Sequence, residues 1–213
     1  MEALSFGLHP DGGRIIPPLQ LFHEAESQGK TLDLDRLCRE KALVAFAERF
    51  GRDTDLMLWL NLETSILSEE VVGSDRLMRA VHESGLAPHQ IVIEIVETHV
   101  PDVSSLQKFV EIYKGYGFSV ALDDVGTSHS NLERIARIKP DIIKIDRCLI
   151  HDLDQERYRY IVVRSLRNLA QSIGALVLAE GLETEGEALA ALDLDINLHQ
   201  GYYYAKPEEY LTG

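Results

Sequence analysis

Seven times along the chain a short apolar run ends on a side chain unsuited to a core: Glu2, Asn61, Glu94, the Asp123-Asp124 pair, Lys144 with Asp146, Glu180 and Gln200. The series crosses 198 residues in six steps of about 33 residues each, roughly the length of one strand-plus-helix unit. The runs at 56–60, 91–93, 118–122, 142–143 and 176–179 lack a period-2 alternation, as expected of parallel strands covered on both faces. Between them lie segments with apolar residues at three- and four-residue spacing. Leu34, Leu37, Cys38, Ala42, Ala45 and Phe46 make one helix ended by Gly51, and 74–84 another ended by Gly85. Leu106, Phe109, Val110 and Tyr113 mark a third, stopped by Gly115. Tyr158, Ile161, Val162, Leu166, Leu169 and Ile173 form a long stripe before Gly174, and Thr184 with Glu187 makes a capping box for the next helix.

Strand and helix in alternation predict an α/β fold with a parallel sheet, either open and doubly wound or closed as a (β/α) barrel. An open sheet for a dinucleotide carries a Gly-rich turn after its first strand, and neither that nor a Walker sequence occurs, so the barrel is preferred. With 45% hydrophobic residues and no linker or low-complexity tract, residues 1–213 read as a single domain. The net charge of −14 repels nucleic acid polymers and anionic membranes. No apolar stretch reaches the roughly 18–20 residues of a membrane span, and Met1-Glu2-Ala3-Leu4 lacks the regions of a signal peptide, so the expected location is the cytoplasm. Cys38 and Cys148 cannot build a disulfide framework and read as small core hydrophobes.

In a barrel the carboxyl ends of the strands converge on one face, where barrel enzymes keep their active sites. Acids gathered there raise one another's pKa, and divalent cations relieve the repulsion. Carboxylates with an amide oxygen, and neither His nor Cys, suit Mg²⁺ or Mn²⁺ rather than zinc. The Asp123-Asp124 pair can serve two ions, and two ions activate water for in-line phosphodiester hydrolysis. Lys144, within Ile142-Ile143-Lys144-Ile145, points opposite to its apolar neighbours, where it can pair with the acids, orient water or hold a phosphate. Tyr202-Tyr203-Tyr204 reads as packing rather than base stacking.

With these motifs in order, the chain resembles the EAL domains, cyclic di-GMP-specific phosphodiesterases, over nearly its whole length. The motifs are Glu2-Ala3-Leu4, His9-Pro10-Asp11-Gly12-Gly13, Asn61-Leu62, Glu94-Ile95-Val96-Glu97, Asp123-Asp124-Val125-Gly126-Thr127, the 140–146 segment ending Lys144-Ile145-Asp146, the 179–184 segment, and Gln200-Gly201-Tyr202. The resemblance implies a modified TIM barrel and hydrolysis of cyclic di-GMP to linear pGpG with two Mg²⁺ or Mn²⁺ ions. Glu2, Asn61, Glu94 and Asp123 would bind one ion, and Asp123, Asp124 and Glu180 the second. Lys144 would contact the nucleophilic water, Glu180 would orient or deprotonate it, Asp146 and Gln200 would line the substrate site, and Glu97 would brace the loop after Asp124. Many members dimerise near that loop.

The chain departs from this pattern at several points. Phe6 stands where the family carries a phosphate-contacting Arg, and losing one charge-assisted contact weakens binding by about 1.5–3 kcal/mol. Val125, Ser128 and His129 replace the family's Phe, Gly and Tyr, and Val96 replaces Thr. Seven strand ends are one short of eight, so the family's N-terminal antiparallel strand is expected to be absent, leaving an edge beside Glu2 that invites dimerisation and loosens that ligand. These departures imply an alternative, a receptor or protein-interaction module that binds cyclic di-GMP without turnover. A barrel aldolase with Lys144 as Schiff-base lysine is a third reading, disfavoured because surrounding acids do not depress an amine's pKa.

Overall fold

A computed structural model describes residues 1–9, 11, 15–51, 54–62, 75–95, 103–127 and 131–207. After a two-residue antiparallel hairpin, β1 (Gly7–Leu8) and β2 (Ile15–Ile16), come helices α1 (Pro18–Ser27) and α2 (Thr31–Phe50). The chain then alternates: β3 (Leu58–Leu62), α3 (Arg76–Ser84), β4 (Ile91–Ile95), α4 (Val103–Gly115), β5 (Ser119–Val125), α5 (Asn131–Ile138) and β6 (Ile142–Ile145). It finishes with α6 (Arg147–Ile150), α7 (Arg157–Ile173), β7 (Leu176–Ala179), α8 (Glu185–Asp193) and β8 (Leu198–His199). Strands β3 to β8 pair in sequence order into one curled parallel sheet, the half-barrel of a modified TIM fold.

Two apolar layers flank this sheet, and strand parity decides which residue joins which. Leu58, Leu60, Ile91, Ile93, Ile95, Val120, Leu122, Ile143, Ile145, Val177 and Ala179 pack outward with the helices into the main core. Val92, Ala121, Ile142 and Leu178 point the other way and form a separate inner plug with Met57, Trp59 and Leu198. Asn61, Glu94, Asp123, Lys144, Glu180 and Gln200 share the parity of the plug and lie one pleat further along each strand. Dry plug below and polar layer above follow from that alternation, which a strand buried on both faces hides from a hydropathy reading.

The expected strand at Glu2 is reduced to one parallel bridge with Trp59, secured by Ala3 N–H to Trp59 O (3.0 Å) and Trp59 N–H to Met1 O (2.9 Å). Among the described residues no backbone hydrogen bond joins its other edge to β8. Glu2 is nonetheless not loose: Gln200 Nε2, just beyond β8, donates to its Oε2 at 2.6 Å, and Asn61 Nδ2 to its Oε1 at 3.4 Å. Side chains, not strand pairing, bring the two ends of the sheet together.

Helix signals hold with local corrections. Gly174 caps α7 in the left-handed conformation, at φ 77°, as a residue without Cβ does most cheaply. Gly115 is the last helical residue of α4 rather than its stop, the left-handed turn coming at Gly117. On α7, Val163 and Ala170 face the core while Tyr158, Val162 and Ile173 are exposed, so the buried stripe is rotated from the one expected. Cys148 is exposed and Cys38 half-buried, so neither is a core hydrophobe. Tyr202, Tyr203 and Tyr204 are all exposed, and Tyr203 packs edge-on against Tyr204 with ring centroids 5.0 Å apart. The Pro10–Gly13 turn lies mostly outside the described residues, as do Val96, Glu97, Ser128 and His129. Among the described residues no helix is long and apolar enough to cross a membrane.

Ile143, fully buried between sheet and helices, tests the outer core. Ile143→Ala is expected to lower the unfolding free energy by about 2–5 kcal/mol, read from the midpoint of a urea titration at unchanged slope.

Candidate functional site

Lys144 is the centre of the inner layer. Its side chain is 1% exposed, and Nζ lies 2.7 Å from Glu94 Oε1, 2.9 Å from Asp123 Oδ1, 3.3 Å from Glu180 Oε2 and 3.9 Å from Glu2 Oε2. β6 positions the lysine between β5, which carries Asp123, and β7, which precedes Glu180. Glu94 pairs in register with Asn61 across β3 and β4. Glu2, Asn61, Glu94, Asp123, Lys144 and Glu180 therefore come together at one end of the sheet.

A regular strand would separate Asp123 from Asp124, because successive side chains take opposite faces. The β5–β6 register shifts between Leu122 and Val125, and Asp124 adopts φ 56°. This irregularity breaks the alternation and brings oxygens of Asp123, Asp124 and Glu180 within 4.8 Å of one another. Left-handed backbone is costly for a residue with a side chain. Here it is held by Thr127, whose N–H and Oγ1 both donate to the Asp124 carbonyl at 3.2 and 3.0 Å.

One ammonium faces four carboxylates. Burial lowers the affinity of Lys144 for its proton, but attraction to Glu94, Asp123, Glu2 and Glu180 outweighs this and holds its pKa well above the usual lysine value. Burial pushes Glu94 up to about 8, with Glu2 and Asp123 adding to the rise and Lys144 opposing it. Glu180 is likewise raised to about 7, first by burial and then by Asp123 and Glu2, against Lys144. The ammonium is the ion-pair partner of Glu94 Oε1, Asp123 Oδ1 and Glu180 Oε2. Among the described residues Glu94 Oε2 is buried with neither a hydrogen bond nor an ion pair. One ammonium among four carboxylates leaves negative charge that a hard divalent cation offsets, and the all-oxygen donor set fits one.

The remaining candidates hold other contacts. Asp146 caps α6, its Oδ1 accepting from Cys148 N–H at 2.7 Å, and Gln200 is tied to Glu2. Burial pushes the Cys148 thiol up to about 11, with Asp146 adding to the rise, so it is no thiolate nucleophile. Phe6 is half-buried just before β1 and supplies no charge. His151, Asp152 and Glu187 also cluster, but both Glu187 oxygens already accept backbone N–H groups. The sequence reading saw in Glu187 a helix cap and missed these longer connections.

The raised acids fix the sign of a pH effect. A carboxyl whose folded pKa lies above its ordinary value of 4.5 favours folding fully below that value, and this contribution is lost as pH rises through the folded pKa. Lys144 stays charged in both states over this range. Stripped of divalent ions with EDTA, the protein is expected to melt at progressively lower temperature from pH 5 to pH 8. Excess Mn²⁺ is expected to recover most of the loss at pH 8, and a melting temperature flat in pH would contradict the coupling.

Comparison with known proteins identifies the family. The model of the EAL domain family matches residues 1–207. YkuI of Bacillus subtilis, a protein with an EAL domain, is 31% identical over 84% of this chain. Its structure in complex with cyclic di-GMP and calcium superposes with a TM-score of 0.82 at 29% identity, covering 100% of this chain and 52% of that one. The cyclic di-GMP phosphodiesterase PdeR of Escherichia coli is 27% identical over 97% of this chain. Klebsiella pneumoniae BlrP1, solved with manganese and cyclic di-GMP, gives a TM-score of 0.80 at 28% identity over 95% of this chain and 50% of its own. The chain spans 44% of the length of YkuI and 31% of that of PdeR. The match of that family model to residues 1–207, nearly the whole chain, shows that this chain belongs to the EAL domain family.

Proposed function

We propose that the chain hydrolyses cyclic di-GMP to linear pGpG with the help of divalent cations. The observation that carries this reading is the convergence of Glu2, Glu94, Asp123 and Glu180 within 3.9 Å of one buried ammonium, with Asp124 drawn in by the β5 irregularity. Family membership and relatives that bind or cleave this dinucleotide supply the substrate class.

Glu2, Asn61, Glu94 and Asp123 would hold one Mg²⁺ or Mn²⁺ ion, and Asp123, Asp124 and Glu180 the other. Such ions, when bound, stabilise charge on the phosphoryl oxygens and lower the pKa of a water. Of the acids around Lys144, Glu180 has the most exposed side chain, 28% against 17% for Glu2, 11% for Asp123 and none for Glu94. It is therefore the one with room for a water, and it orients that water and takes its proton. Lys144 is kept cationic by its neighbours and donates to the attacking oxygen or the phosphate, adding fixed positive charge where negative charge develops. Asp146 would line the substrate site while it caps α6. Gln200 works at one remove as well, because its amide sets the direction of Glu2.

Phe6 favours a second reading, a receptor that binds the dinucleotide without cleaving it, since no phosphate anchor stands at that position. One assay separates the two. Cyclic di-GMP with Mn²⁺ is expected to yield pGpG, EDTA to stop the reaction, and Asp124→Ala or Lys144→Met to reduce kcat by about a hundredfold or more. Tight binding by calorimetry with no product over hours would replace hydrolysis by reception.

A further inference from the structure

Glu180 and Lys144 stand at the ends of adjacent strands; the chain beyond β7 enters the loop at 180–184, and that beyond β6 passes through Asp146 and the short helix α6 to the loop at 151–155. Glu187, in the first turn of α8, joins those two loops. It is 1% exposed, and every direction around its carboxylate is used. Oε2 accepts the amides of Glu183 (2.8 Å) and Thr184 (3.1 Å), both in the loop that follows Glu180. Oε1 accepts the amide of Asp152 at 3.0 Å, 35 residues away, in the turn that closes α6. His151 Nδ1 lies 3.3 Å from the same oxygen. α6 itself begins at Arg147, with Asp146 as its N-cap.

A capping box requires only the exchange between Thr184 and Glu187. The contact with Asp152 reaches instead to the loop beyond the neighbouring strand. Asp152 holds a left-handed φ of 57°, a conformation that persists where surrounding contacts over-determine it. Nearer the surface the first residue of α6 meets the Glu180 loop as well, Arg147 Nη2 pairing with Glu183 Oε1 at 3.0 Å and its stem lying over Gly181. Beyond the last backbone bond between the strands, Glu180 N–H to Ile145 O at 3.0 Å, the two segments are thus tied at two depths, the deeper tie through the Glu187 carboxylate.

Resting on the site reading above, we propose that Glu187 is a positioning residue for the acid cluster. Its carboxylate locks the Glu180 loop against the loop beyond Lys144 and Asp146, and so sets the 3.3 Å spacing of Glu180 from Lys144. Partners that orient metal-binding carboxylates typically change ion affinity or activity by 10–100-fold when removed. A helix cap alone changes stability and neither of these.

The test uses the whole chain. Glu187→Ala removes both arms. Glu187→Gln keeps the volume, but whichever way its amide lies, one arm meets an NH₂ instead of an acceptor. Both variants are expected to bind Mn²⁺ about 10–100-fold more weakly by calorimetry. At saturating Mn²⁺ kcat is expected to fall about tenfold or more, with KM for cyclic di-GMP held within about threefold, and Gln to be milder than Ala. Thr184→Ala, which weakens the cap of the same helix, is expected to lower the melting temperature with Mn²⁺ affinity unchanged. Wild-type Mn²⁺ affinity and kcat in both Glu187 variants would overturn the proposal, as would Thr184→Ala matching them in lost affinity. Failure of the enzymatic reading shows elsewhere, in wild-type protein that binds no Mn²⁺ or forms no pGpG. The tie is then read from hydrogen exchange at the Asp152, Glu183 and Thr184 amides, where protection lost in Glu187→Gln supports it and no difference refutes it.

Discussion

The arrangement of the site depends on Lys144. A buried ammonium is tolerated only beside opposite charge, and buried carboxylates only beside a cation or a proton. With four acids around one lysine the account does not balance at neutral pH. The excess is relieved by retaining protons, as the raised values of Glu94 and Glu180 express, or by taking up cations. The site thus exchanges protons for metal, and its affinity for either falls as the other rises.

Around this centre the fold supplies rigidity in layers. The inner plug of Val92, Ala121, Ile142 and Leu178 gives the polar residues a dry floor, which strengthens every charge interaction above it. The irregularity in β5 spends backbone strain to present Asp123 and Asp124 together, and Thr127 holds it in place. Gln200 then reaches Glu2 across 198 residues and draws the far ends of the sheet to one mouth. The close approach behind it requires Gly201, whose Cβ, if present, would lie 2.1 Å from the Leu182 carbonyl oxygen. Glu187 does for the loops after β6 and β7 what Gln200 does for the ends of the sheet. The site is held less by individual strands than by polar side chains that bridge them.

Much of this was legible in the order of residues. Apolar runs near Leu58–Leu62, Ile91–Ile95, Ser119–Val125, Ile142–Ile145 and Leu176–Ala179 point to a parallel sheet, and the polar residue closing each one marks the candidate site. This works because strand direction is shared in such a sheet, so a residue's place at the carboxyl end of its own run is also its place in space. The boundaries moved by a few residues, because runs buried on both faces carry no internal phase. The rotated face of α7 has a different cause: Tyr158 and Val162 are apolar enough to mimic a core stripe, but the sheet takes the side bearing Val163 and Ala170. Likewise, composition cannot tell exposed tyrosines at 202–204 from packed ones.

The sequence by itself determined the alternation of strand and helix, the family, and the identity of the acids and the lysine, since these follow from local pattern and motif order. Tertiary structure alone decided three things. It turned Asp124 to the same side as Asp123 against the strand's natural alternation, it joined Glu2 to Gln200 by side chains rather than strand pairing, and it linked Glu187 to a loop 35 residues away. Each depends on a through-space distance between segments remote in the chain. No residue-to-residue pattern encodes such a distance until the sheet has curled and brought those segments together.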